Sequence, residues 1–316
     1  MRDTLLEVGS ALARRGRLVV KGVAAVAATF IGQTAILAAT YSSPPDAKGP
    51  TAGTVQYLDS SSPSDNAGQS RNAGHPGLSA LTGMATTRHD DSASPSTRPP
   101  EVALLILGDS LVTGVGCDMH EAGGTEGPSM PKRLAESLAQ QLRRDVSWKA
   151  VGQTGATVAQ IREHCVPQLR EHVNLGKRVD AVLFFCGVND FKRLLNPQSG
   201  ASASNFKQEL EQTVWEIREI VGPECYIAFP QLPIEAVDRF YGPLGVAVRY
   251  ISNIWDEQKR EVAHSLGDRG IFIDKPQLKG LGAFKFTSAA DGVHPSSQGY
   301  SVWGEHCGSV LAPYMR

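Results

Sequence analysis

Ser110 ends the segment Leu107-Gly108-Asp109-Ser110-Leu111, and Asp291-Gly292-Val293-His294-Pro295 lies near the opposite end of the chain. Together they offer a hydroxyl, an imidazole and a carboxylate, the groups that nucleophilic attack on a carbonyl uses. A serine hydroxyl is too weakly acidic to attack an ester unaided. It needs a general base within about 2.6–3.2 Å, and that base needs a partner to fix its tautomer. His294 is the candidate base and Asp291 the candidate orienter; carried on one turn, they can face the same side and reach Ser110 as a unit. Each segment also has a plain structural reading. Gly-Asp-Ser is turn-prone, and Asp291 to His294, followed by Pro295, Ser296 and Ser297, suits a turn that starts a helix.

Attack on a carbonyl creates an oxyanion, which needs donors already aimed at it. The Ser110 N–H can supply one. Gly155, in Gln153-Thr154-Gly155-Ala156-Thr157, can supply another because glycine lets the backbone approach closely, and it is preferred over Gly152. Asn189, in Cys186-Gly187-Val188-Asn189-Asp190, can supply a side-chain N–H, with a simple turn asparagine as the alternative. The adjoining Asp109 and Asp190 read as carboxylates that bond loop N–H groups or act on the site directly.

Positioning these groups requires a scaffold, and the chain alternates apolar runs with amphipathic stretches. Val102 to Leu107 is a short continuous apolar run, the pattern of a strand buried on both faces. Pro131 to Arg144 then places Leu134, Leu138 and Leu142 at a four-residue step, the stripe of a helix. Val146 to Val151 is a weaker strand, followed by a helical pattern through Val158, Ile161, Cys165 and Leu169, with Pro167 threatening its last turn. Val179 to Cys186 is the clearest strand and Phe206 to Val221 a clear helix. Cys225 to Phe229, Val248 to Leu266, Gly270 to Ile273 and Ser297 to Leu311 continue the alternation. This is the pattern of an α/β fold, a parallel sheet with helices on both faces. In such sheets the loops at the C-terminal strand ends converge on the ligand site. Each polar segment above falls after one of these strands or in the loop before the final helix.

In that order the four blocks resemble the SGNH (GDSL-type) esterase and lipase superfamily. Gly108-Asp109-Ser110-Leu111 corresponds to the nucleophile block, Gly155 to the glycine block, Gly187-Val188-Asn189-Asp190 to the asparagine block, and Asp291 to Pro295 to the acid–base block. The resemblance covers residues 101 to 311. It implies a three-layer α/β/α sandwich with a mainly parallel, flavodoxin-like sheet, and a two-step acyl transfer to Ser110 and then to water. Ser110, Asp291 and His294 would be catalytic, and Ser110, Gly155 and Asn189 would form the oxyanion hole, with no metal and no organic cofactor. No Gly-x-Ser-x-Gly string occurs, so the sharp nucleophile elbow of the α/β-hydrolases is not expected.

The rest of the composition narrows partners. The formal net charge is -1, and the expected folded part has no basic stripe interleaved with aromatics, so nucleic acid is a poor partner. The five cysteines, Cys117, Cys165, Cys186, Cys225 and Cys307, are too scattered for a zinc site or a disulfide framework. Cys186 is expected to be a small buried hydrophobe. His120, His164, His172, His264 and His306 lack metal-ligand spacing.

Residues 42–100 are dominated by Ser, Pro, Gly, Ala, Thr, Asp and Asn, which cannot bury enough apolar area to offset their ordering, so a disordered linker is expected there. The hydrolase domain is expected over 101–316. Before the linker, residues 1–41 carry Arg14, Arg15, Arg17 and Lys21 ahead of an uncharged stretch from Gly22 to Thr40. Three readings are open: a membrane anchor, a cleaved export or organellar peptide, or a soluble tail. Membrane association would run through residues 18–40, and the domain would then be membrane-anchored, exported or organellar, with the cytoplasm as the remaining alternative.

Segments 111–130, 191–203, 230–247 and 275–290 are the loops able to line a substrate pocket. Phe229, Leu232, Pro233, Ile234, Phe240, Tyr241 and Leu244 offer apolar surface there, and Phe284 and Phe286 precede Asp291. These favour a lipid-like or small acyl ester over an acetylated sugar. An O-acetylesterase or acyltransferase of the same fold is the alternative, and a non-catalytic, tethered glycan-binding module is the alternative of another class. Oligomeric state is not legible.

Overall fold

The computed structural model describes residues 29, 32, 33, 36, 40–57, 99–117, 127–195, 199–232, 234, 237, 239–276 and 289–316. Six strands form one sheet: β1 (Ala52–Val55), β2 (Val102–Gly108), β3 (Val146–Gly152), β4 (Ala181–Phe185), β5 (Tyr226–Pro230) and β6 (Gly270–Ile273). Their spatial order is β1-β3-β2-β4-β5-β6. β1 runs antiparallel along the outer edge of β3, and the other neighbours are parallel. Because β3 lies on one side of β2 and β4 on the other, the chain reverses its winding direction at β2. A crevice therefore opens beyond the C-terminal end of β2, the place where doubly wound sheets bind ligands.

The helices are α1 (Ser110–Thr113), α2 (Ser129–Leu142), α3 (Val158–His164), α4 (Val166–Asn174), α5 (Val188–Lys192), α6 (Ala203–Val221), α7 (Gly242–Ser265) and α8 (Ser297–Leu311). Alternate residues of each strand point to opposite faces. Leu105, Leu107, Val182, Phe184, Ile227 and Phe229 pack with α3, α4, α6 and α7, through Val158, Ile161, Leu169, Leu210, Val214 and Val262. Leu104, Ile106, Leu183, Ala228 and Ile271 pack with α2 and α8, through Leu134, Leu138, Tyr300, Trp303 and Cys307. The result is the expected α/β/α sandwich. Gly108 is required where β2 meets β4, because a Cβ there would lie 2.5 Å from the Phe185 carbonyl oxygen.

Three expectations change in detail. Pro167 starts a helix instead of ending one: α3 stops at His164, and Pro167 sits in the first turn of α4, where a missing N–H costs nothing. The first part of the 42–100 linker is ordered, since Gly127 N–H donates to Lys48 O at 2.8 Å, Ala150 N–H to Thr51 O at 2.7 Å, and β1 pairs with β3. The linker's composition predicts too little burial, but an edge strand holds itself chiefly through backbone hydrogen bonds. Residues 58–98 lie outside the described residues.

Of the three readings of the N-terminal stretch, the transmembrane one is corrected: among the described residues no helix is long and apolar enough to cross a membrane. Of the few described residues of that stretch, Thr29, Gly32, Ile36 and Thr40 are exposed, and Gln33 bonds to the segment that opens α7. Leu244 N–H donates to Gln33 Oε1 at 3.2 Å, and Gln33 Nε2 donates to Tyr241 O at 3.4 Å. Residues 22–28, where the apolar stretch begins, lie outside the described residues.

Candidate active site

Ser110 begins α1, directly after β2. Asp109 caps that helix, its Oδ1 accepting from Leu111 N–H at 3.1 Å. The buried Tyr300 of α8 braces the same turn from below, its hydroxyl donating to Val115 O at 2.7 Å and lying 3.3 Å from Ser110 O. The nucleophile is thus held from two sides by groups on different elements.

His294 reaches Ser110 from the loop that precedes α8. Its Nε2 lies 3.0 Å from Ser110 Oγ and its Nδ1 2.7 Å from Asp291 Oδ2. The other oxygen of Asp291 accepts the N–H groups of Val293 and His294, each at 3.0 Å, which fixes the turn that carries both residues. Burial raises the Asp291 carboxyl, but the His294 side chain and these two N–H groups outweigh it and hold the carboxyl below its ordinary value. An ionised Asp291 accepts a hydrogen bond from Nδ1–H, which keeps the proton on that nitrogen and leaves the Nε2 lone pair for the serine. Arg239 is a support that motif reading missed. Its Nε donates to Asp291 O at 2.7 Å and its backbone N–H to Gly292 O at 3.1 Å, and a lone arginine in a loop gives no local signal of that task.

The expected oxyanion donors come to the same cavity wall, which Ser110, Gly155, Asn189 and His294 share. Gly155 has φ +78° and open space where a Cβ would sit, so its loop can meet a substrate oxygen without obstruction. Asn189 is 6% exposed and already engaged. Its Nδ2 donates to Asp109 Oδ2 and to Ala156 O, both at 3.0 Å, while its Oδ1 accepts from Lys192 Nζ at 2.7 Å. In this state the amide ties the nucleophile turn to the glycine loop. Gly152, the less favoured alternative, ends β3 and packs on Val112 and Thr113.

Asp109 and Asp190 both bond loop N–H groups. Asp190 accepts from Val158 N–H with both oxygens at 3.2 Å, capping α3. Burial pushes Asp109 up to about 6 and Asp190 up to about 7, in the latter case with the nearby Asp109 charge adding to the rise. The cysteines are free thiols, and Cys186 is buried as expected. Among the described residues no group of His, Cys, Asp and Glu could hold a metal ion.

The cavity above Ser110 measures about 430 Å³. One side is apolar: Ile234, Val237 and Phe240 from the segment after β5, with Leu244, Val248 and Ile251 from α7. Phe191, Lys192 and Leu194 extend the rim. Of the apolar residues expected to line it, Ile234, Phe240 and Leu244 do so. Phe229 and Leu232 are core residues, Tyr241 is exposed, and Pro233, Phe284 and Phe286 lie outside the described residues. A buried ion pair holds this wall to the sheet. Asp256 Oδ1 accepts from Leu232 N–H at 3.1 Å and from Lys259 Nζ at 2.8 Å, while that Nζ also donates to Pro230 O at 2.7 Å.

A hydroxyl in line with an imidazole and a carboxylate, at the switch point of an α/β/α sandwich, defines a serine hydrolase. The chain belongs to the GDSL-like lipase/acylhydrolase family, which it matches over residues 106–302. Comparison with curated proteins finds no match. Among solved structures, it is similar to a lipase from a goat rumen metagenome, at 20% identity over 67% of this chain and 98% of that one, with a TM-score of 0.49. It is also similar to an α/β hydrolase from the metagenome of Lake Arreo, Spain, at 18% identity over 68% and 95%, with a TM-score of 0.47. A third is a psychrotrophic esterase from Pseudoalteromonas sp., at 16% identity over 67% and 98%, with a TM-score of 0.47.

Proposed function

We propose that the protein hydrolyses carboxylic esters whose acyl group is an alkyl chain of several carbons. The observation that carries this reading is the hydrogen-bonded series Asp291, His294, Ser110 opening onto a cavity walled by Ile234, Val237, Phe240, Leu244, Val248 and Ile251. His294 takes the Ser110 proton as Oγ attacks the ester carbonyl. The tetrahedral oxyanion is received by the N–H groups of Ser110 and Gly155, with Asn189 as third donor when its amide shares the hydrogen now given to Ala156 O. His294 then returns the proton to the departing alcohol, and water repeats the sequence to free the acid and Ser110.

A chain lying along the apolar wall gains about 0.8 kcal/mol per buried methylene, roughly fourfold in kcat/KM for each one that fits. A p-nitrophenyl ester series from acetate to dodecanoate tests this: kcat/KM should climb from acetate and fall once the chain outgrows the cavity. A maximum at acetate would favour an acetylesterase instead. Ser110→Ala and His294→Ala should remove turnover, by roughly a thousandfold or more, while Asp291→Asn, which keeps the base in a worse tautomer, should cost less. Normal turnover by purified, folded Ser110→Ala would end the assignment.

A further inference from the structure

Residues 40–48 precede the span matched by the family, yet they bond to both sides of the active site. We propose that this segment is a strap belonging to the catalytic apparatus, with Tyr41 and Asp46 as positioning residues for His294 and for the Gly155 loop. The proposal rests on the serine-hydrolase reading and deepens it.

At one end the Tyr41 phenol points toward the His294 ring, with centroids 6.4 Å apart and planes inclined by 31°. The phenol oxygen is 3.4 Å from His294 Nδ1. That nitrogen already donates its hydrogen bond to Asp291 at 2.7 Å, so the phenol oxygen is at most a weak second acceptor. In the proposed role the phenol, which approaches end-on, fills the space beside the Nδ1 edge of the imidazole, shields the Asp291–His294 bond from water and limits how the base can rotate. The adjoining Thr40 accepts a hydrogen bond from Arg239 Nη1 at 3.1 Å, and Arg239 in turn holds the Asp291 carbonyl. Strap and acid–base loop are thereby joined through two side chains. Tyr41 and Ser43 also line the substrate cavity.

At the other end Asp46 Oδ1 accepts from the Thr113 hydroxyl at 2.8 Å and from the Thr154 hydroxyl, and the two hydroxyls lie 2.7 Å apart. Thr113 ends the nucleophile's helix, and Thr154 adjoins Gly155. A single carboxylate thus sets the spacing between the turn that bears the nucleophile and the loop expected to receive the oxyanion. Ala47 N–H donates to Thr113 O at 3.0 Å, and the pairing of β1 with β3 secures the strap beyond.

The test uses the full-length protein with Tyr41→Phe, Tyr41→Ala, Asp46→Asn and Asp46→Ala, each checked for its fold by circular dichroism and thermal melting. For each, kcat and KM are measured on p-nitrophenyl acetate, which is too short to use the apolar wall, alongside the rate at which a fluorophosphonate labels Ser110. Tyr41→Ala should lower kcat and the labelling rate together by about tenfold, with KM changed less than about twofold, because geometry and not binding is lost. Tyr41→Phe should recover most of that loss, since the ring remains. Asp46→Asn, which keeps an acceptor oxygen for both threonines, should exceed Asp46→Ala. Should Tyr41→Ala fail to fold, Tyr41→Leu carries the same comparison. If the unaltered protein turned over no ester, the proposed function would fail first. If it is active while all variants keep its kcat and labelling rate within about twofold, the strap has no positioning role and the inference falls.

Discussion

At the residue scale the site sets two kinds of carboxylate apart. Asp291 gains donors that outweigh its burial and is held ionised, whereas Asp109 and Asp190 are pushed up to about 6 and about 7, with burial as the first cause. Groups whose pKa rises on folding contribute stability that is present below about pH 4 and is lost as pH climbs through the folded-state values. Between about pH 4 and 7 the native state therefore holds protons that the unfolded chain has released, and these two groups make stability fall as pH rises. Asp190→Asn keeps an acceptor for the Val158 N–H and removes the titration. In urea unfolding, the stability of the variant minus that of the parent should grow from pH 4.5 to 7.5. A difference that stays flat over that window would show that Asp190 is not the titrating group. The residues that do chemistry were legible because their types are restricted: only a few side chains can serve as nucleophile, base and orienter. Arg239 and Tyr41 were not, since an arginine and a tyrosine in a loop have many ordinary uses.

At the scale of elements, α7 combines two tasks that sequence periodicity cannot separate. Leu244, Val248 and Ile251 form one helical stripe facing the cavity, and Trp255 and Val262 continue it into the core. A stripe facing a substrate cavity and one facing a packed sheet have the same spacing and the same residue types. Segment 230–247 is therefore legible as one of the loops able to line a pocket, whereas the continuation through Val248 and Ile251 reads as ordinary core. Filling the stripe from within should shorten substrate preference. Val248→Trp is expected to lower kcat/KM on p-nitrophenyl octanoate by roughly fifteenfold, by excluding about two methylenes from the wall. The acetate ester should be nearly unaffected, so the octanoate-to-acetate ratio is the quantity to measure. An unchanged ratio would place the acyl chain elsewhere.

At the scale of the whole molecule, the doubly wound sheet was legible from its strands and helices because each parallel strand is buried on both faces and so is written as a continuous apolar run. β1 breaks that rule. Its four residues, Ala52–Val55, are small or β-branched and mostly exposed, and what places them is the open flank of β3, a property of distant sequence. That flank has a consequence for solubility. An unpaired flank of a sheet presents a row of free amides and carbonyls that any extended chain can zip onto, including a second copy of the same protein. Val55→Pro in the full-length chain, which cannot keep the β1 ladder intact, should make the protein self-associate in light scattering on mild warming, where the parent does not. The segment that composition marks as filler would then be what keeps one molecule from templating the next.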